Sequence, residues 1–141
     1  MNITRHQHRI WAMQILYGLD VQRSLKKEDA KREIAKKRND EELKEIEEQY
    51  YFEEIVLGVI DNQEEIDTTI EKNAIGWHLY RMPVVDRNIL RIALYEFLMD
   101  LPIGIVINEA VELAKEFGSE KSARFINGVL SNVHENKEDT Q

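Results

Sequence analysis

The stretch Val84-Val85-Asp86-Arg87-Asn88-Ile89-Leu90-Arg91-Ile92-Ala93-Leu94-Tyr95-Glu96-Phe97-Leu98 decides the fold. Val85, Ile89, Leu90, Ile92, Ala93, Leu94, Phe97 and Leu98 cover most of its circumference, which predicts a central helix packed on several sides. Pro83 and Pro102 punctuate its two ends, and each suits the first turn of a helix, where a missing N–H costs nothing. Downstream, Ile103, Val106, Ile107, Ala110, Leu113, Ala114 and Phe117 form one stripe, with Glu109, Glu112 and Glu116 on the other side. Gly118 closes that helix, and Ser119 is placed to cap the next. The last helix buries Ala123, Ile126, Leu130 and Val133, and its period runs through Asn127-Gly128, where the glycine is expected to admit a close neighbour. Residues 136–141 are polar and expected to fray.

Upstream, Ala12, Ile15, Leu16 and Leu19 give one apolar stripe to a helix from about Thr4 to Gln22. A thin stripe of Leu25, Ala30, Ile34 and Ala35 predicts a short helix over 23–42. Leu43, Ile46, Phe52, Ile55, Val56, Val59 and Ile60 mark another over 43–60, and Ile66, Ile70 and Ala74 a third that ends at Gly76 in a left-handed cap. The fold class is therefore all-α. A single domain over 1–141 is expected, with an N-terminal helical lobe over 1–77 and a C-terminal one over 83–135.

The 141 residues include no cysteine, which excludes disulfides, cysteine zinc sites and thiol catalysis. No apolar run reaches the ~18 residues of a membrane span, and the N-terminus lacks a signal-peptide block, so a cytoplasmic protein is expected. The net charge of −8 is unevenly placed: +6 over 1–38, −11 over 39–73 and −3 over 74–141. With a Debye length of about 8 Å in physiological salt, the acidic middle does not cancel a local basic surface. That acidic middle is a candidate for meeting a basic partner.

His6, His8, His78 and His134 show no metal-ligand spacing, and no Glu-x-x-His is present. Phosphate-binding glycine loops and nucleophile elbows are also missing. No catalytic residue, metal or cofactor is expected, and a binding module is the reading. Arg5, His6, His8 and Arg9 cluster at the start of the first helix, with Tyr17 two turns on, and Lys121, Arg124 and Phe125 form a second basic-aromatic cluster. Cations opposing a helix dipole point to a ligand that wants positive charge. Single-stranded RNA is held by cations on phosphates and by rings stacked on bases. Tyr17 and Phe125 equally suit core packing, because aromatics at helical spacing usually face inward.

The run Asp86 to Glu96, then Pro102, Val106-Ile107-Asn108-Glu109-Ala110-Val111-Glu112-Leu113-Ala114-Lys115, Phe117-Gly118 and Arg124-Phe125-Ile126-Asn127-Gly128-Val129-Leu130 resembles the NusB family of bacterial transcription antitermination factors. Arg9, Ala12, Gln14, Leu16 and Tyr17 fit the family's R-x-x-A-x-Q-x-L-Y pattern. The resemblance implies two small helical bundles packed side by side and no catalysis. It implies binding to the boxA element of rRNA leader transcripts as a heterodimer with NusE, a small-subunit ribosomal protein. It further implies assembly with RNA polymerase and other Nus factors, and in some members a homodimer. Carried over by position, it places RNA contacts at Arg5, Arg9, Gln14, Tyr17, Arg91, Lys121 and Phe125, beside His6 and His8, and a NusE face around Leu79, Tyr80, Asp86 and Arg87. Histidines where family members carry arginine imply RNA affinity that changes near pH ~6.5. A helical protein-interaction module without an RNA role is the alternative.

Overall fold

The chain is described here from a computed structural model covering residues 3–40, 43 and 50–139. Among these are seven α-helices and no strand: α1 (Arg5–Val21), α2 (Lys27–Arg38), α3 (Tyr51–Asp61), α4 (Gln63–Asn73), α5 (Val84–Leu98), α6 (Ile103–Phe117) and α7 (Glu120–Asp139), with a 3-10 turn at Leu79–Arg81 before α5. None of these helices is long and apolar enough to cross a membrane. Ile46 and the acidic residues Glu41, Glu42, Glu45, Glu47 and Glu48 lie outside the described residues, and Leu43 is a buried turn residue rather than the start of a helix.

α1, α2 and α3 pack together, and α5, α6 and α7 form a second group. α4 precedes the connection at 77–83 but lies chiefly against α5 and α7. Asn132 in α7 holds it there by donating 3.1 Å to the Asn73 carbonyl. α5 touches α1, α3, α4, α6 and α7, so the densely apolar helix is the hub. Its Ile89, Leu90 and Ile92 share one core with Leu16, Phe52, Ile55, Ile66, Ile70 and Leu113. Leu98 and Phe117, at the ends of their helices, are outside the core and stay 37% and 38% exposed, so the buried stripe of α6 stops at Ala114.

Local signals set the helix ends. Thr4 caps α1 by accepting from the Gln7 N–H at 3.1 Å, and Ser119 caps α7 by accepting from the Ser122 N–H at 3.0 Å. Pro83 and Pro102 are the capping residues just before α5 and α6. α1 ends in a Schellman motif: the Ser24 N–H donates to Leu19 O at 2.8 Å, the Arg23 N–H donates to Asp20 O at 3.0 Å, and Arg23 takes φ +57°. α5 ends the same way, with Asp100 at φ +60°. Gly76 adopts φ +84° two residues past Ala74. α7 continues to Asp139, past the point where polar composition predicts fraying.

The expected close approach at Gly128 is not found, since a methyl there meets nothing within 4 Å. The close approach lies at Gly58 instead. There a methyl would fall 2.0 Å from Tyr95 Cε1, so the missing side chain lets α3 rest on the ring that α5 presents.

Candidate nucleic-acid interface

The first turn of α1 carries the N-terminal cations, and their fates diverge. Arg5 is exposed, with its guanidinium 4.6 Å from the Tyr51 ring centroid. His6 reaches across to α6, where Nδ1 lies 2.8 Å from Glu109 Oε2 and Nε2 lies 2.7 Å from Glu116 Oε1. The Glu109 hydrogen bond is the largest influence on His6; with Glu116 it outweighs burial and raises the imidazole above its ordinary pKa. His6 is thus favoured as an imidazolium clamp between α1 and α6, which corrects the expectation that it offers a freely titrating contact.

His8 and Arg9 point inward. His8 is buried among Trp11, Tyr50 and Phe52, and Nδ1 accepts the Phe52 N–H at 3.3 Å. Burial, with the Arg5 charge behind it, lowers its pKa and keeps it neutral. Arg9 is 3% exposed and pairs with Glu96: Nε donates to Oε2 at 2.9 Å and to Oε1 at 3.2 Å, and Nη2 lies 2.9 Å from Oε2. The Tyr51 hydroxyl donates to the same carboxylate. Arg5 and Arg9 do share a helix face, but that face abuts α3 and α5, so Arg9 completes a buried ion pair rather than an RNA surface.

Arg91 requires the same correction. It is fully buried on α5, donates from Nε to Asp67 Oδ1 at 2.9 Å and from Nη1 to Asp20 Oδ2 at 2.9 Å, and joins α5 to α4 and α1. Arg87 grips the other side of Asp20 at 2.6 and 2.7 Å, and Asn88 donates to it at 2.9 Å. Burial alone would raise the Asp20 pKa; the hydrogen bonds from Arg87 and Asn88 and the two guanidinium charges reverse this and hold it below the usual carboxylate range.

Outward-facing groups form the remaining surface. Gln14 and Tyr17 are exposed on α1, with Tyr17 41% exposed rather than a core ring. At the start of α7, Lys121 and Phe125 line a cavity of about 210 Å³ with Trp77, Pro83, Asp86 and Ser122. Phe125 is half-buried and meets Trp77 edge-on at 5.8 Å between centroids, so each ring keeps an accessible portion. Trp77 is 48% exposed and was not selected from the sequence. A tryptophan just past a helix-ending glycine, among apolar residues with no period, is the signal that could have found it.

Of the residues assigned to a partner face, only Tyr80 stands clear, at 67% exposed. Leu79 is a core residue, and Arg87 is committed to Asp20 while stacking on Tyr80 at 5.1 Å. Asp86 is 3% exposed, and its Oδ1 lacks a hydrogen-bond partner. Burial raises its pKa, opposed in part by a hydrogen bond from Ser122. Because the folded pKa lies above the unfolded one, ionisation of Asp86 costs stability as pH rises above the unfolded value. Asp86→Asn is expected to raise Tm at pH 7 and to lose that advantage near pH 3; thermal scans at the two pH values check this, and equal shifts at both would exclude the charge as the cause.

No group of His, Cys, Asp and Glu among the described residues could hold a metal ion. The NusB family profile matches residues 6–135. A relative from Halothermothrix orenii called transcription antitermination protein NusB is 49% identical over 131 residues, covering 93% of this chain and 96% of its own. Among solved structures, T. maritima NusB superposes with a TM-score of 0.79 at 30% identity, covering 99% of both chains. A chain from a complex of the antitermination factors NusB and NusE with dsRNA superposes at 0.73 and 29% identity, covering 95% of this chain and 99% of its own. A profile spanning nearly every residue, carried on the same all-helical architecture, places the chain in the NusB family of transcription antitermination proteins.

Proposed function

We propose that this chain binds boxA RNA of rRNA leader transcripts together with NusE, and that the assembly, with RNA polymerase and other Nus factors, suppresses termination in the cytoplasm without catalysing a reaction. The observation that carries the reading is the cavity at the start of α7, where Lys121 sits with the accessible portions of Phe125 and Trp77. A cation for a phosphate and rings for a base are what an unpaired strand requires. Arg5, Gln14 and Tyr17 supply further outward polar, cationic and aromatic groups on α1. The patch is small on a chain of net charge −8, so RNA binding is weak until a second protein adds contacts.

The test is fluorescence anisotropy with boxA and scrambled RNA, with and without NusE. Preference for boxA that strengthens with NusE is expected. Lys121→Ala should make the log–log salt slope shallower by about 1, and Phe125→Leu should weaken binding by about 1–3 kcal/mol, the range for a lost base stack. Equal affinity for the scrambled strand, with and without NusE, would leave the alternative of a protein-interaction module.

A further inference from the structure

The last turn of α1, the start of α2 and the 3-10 turn before α5 enclose an open groove of about 980 Å³. Arg23, Lys26 and Arg81 stand on its rim, exposed and, among the described residues, in no ion pair. The single carboxylate that lines it, Asp20, is buried under Arg87, Arg91 and Asn88 and neutralises none of the rim. The N-termini of α2 and α5 also open here without side-chain caps, but Glu28 and Asp29 in the first turn of α2 and Asp86 in that of α5 offset their dipoles, so the three rim cations carry the positive charge.

The groove is not only cationic. Val21 is 56% exposed and Tyr80 67%, and Leu25 and Met82 also line it. The Arg87 guanidinium backs the Tyr80 ring and fixes it as a wall. A phosphodiester strand would use the rim charges and leave this aliphatic surface wet. A polypeptide segment with carboxylates flanked by apolar side chains satisfies both, and exposed Tyr and Arg beside an apolar floor are what anchor protein partners.

We infer that this groove seats an acidic, apolar-flanked segment of NusE, with Arg23, Lys26 and Arg81 reading its carboxylates. The inference rests on Tyr80 marking the NusE face. It gives that face a charge chemistry and adds rim residues that neither the sequence pattern nor the resemblance singled out.

The experiment measures NusE binding by calorimetry and boxA binding by anisotropy on the same full-length variants. Arg23→Glu with Arg81→Glu is expected to weaken NusE binding at least ~10-fold and to flatten its salt dependence, since rim charges govern both, while RNA affinity of the chain alone stays unchanged. Arg23→Gly guards against misfolding. It suits the left-handed backbone at that position, so it should raise Tm and still weaken NusE binding about threefold. Carbodiimide treatment of the wild-type complex should join Lys26 to a NusE aspartate or glutamate. Unchanged NusE affinity in both variants, with the wild-type complex intact, overturns the groove and leaves the NusE partnership standing. Loss of RNA affinity instead makes the groove a nucleic-acid surface and overturns the inference. Failure of the wild-type chain to bind NusE at all removes the partnership itself.

Discussion

Replacing Arg91 by alanine is expected to lower the unfolding free energy by about 3–5 kcal/mol, the range for removing one partner of a buried ion pair. Its guanidinium is the common point of α1, α4 and α5: it donates to Asp20, Asp67 and Asn88 from a site with no solvent exposure. Its removal leaves Asp67 without its bidentate partner and opens a void the size of the side chain. Asp20 keeps Arg87 and Asn88, so the effect should fall toward the lower part of that range. Arg91→Lys should restore little, because one ammonium cannot serve two carboxylates in a planar fork. Urea titration followed by circular dichroism measures all of this. A variant of wild-type stability with reduced RNA affinity would return Arg91 to the RNA surface.

Arg9→Ala is the second large effect, again about 3–5 kcal/mol. It strips Glu96, which is 1% exposed, of the one guanidinium that meets it among the described residues and leaves the Tyr51 hydroxyl as a donor. Glu109, 3.6 Å from Arg9, loses a second cation beside His6. The pair variant Arg9→Leu with Glu96→Met should recover most of the loss, because an uncompensated buried charge is what makes the single change severe. A double-mutant cycle in urea reads the coupling directly. If Arg9→Ala keeps its stability and loses boxA affinity, the residue belongs to the surface after all.

The helices were legible because apolar periodicity reports burial directly. The stripes of α1, α5 and α7 and the caps at Thr4 and Ser119 all follow from local spacing. The site was less legible for one physical reason. A lone arginine on an apolar helix looks the same in sequence whether it meets a phosphate or a carboxylate. Arg9 and Arg91 find their partners 87 and 71 positions away, and nothing in the period of either helix records that pairing. The spacing of Tyr17 and Phe125 leaves core and surface open, and only the packing decides: Tyr17 is 41% exposed and Phe125 is half-buried against the core. Trp77 emerges only where the segment before α5 meets α7, and the rim of Arg23, Lys26 and Arg81 only when α1, α2 and the turn before α5 come together.

Gly58 gives up intrinsic helicity, about 1 kcal/mol relative to alanine, in a helix of only 11 residues. A segment that short is marginal on its own in water. What it gains is contact with the flat side of a tyrosine from the hub. The order of α3 is therefore borrowed from the hub, and the two are expected to lose their structure together on unfolding.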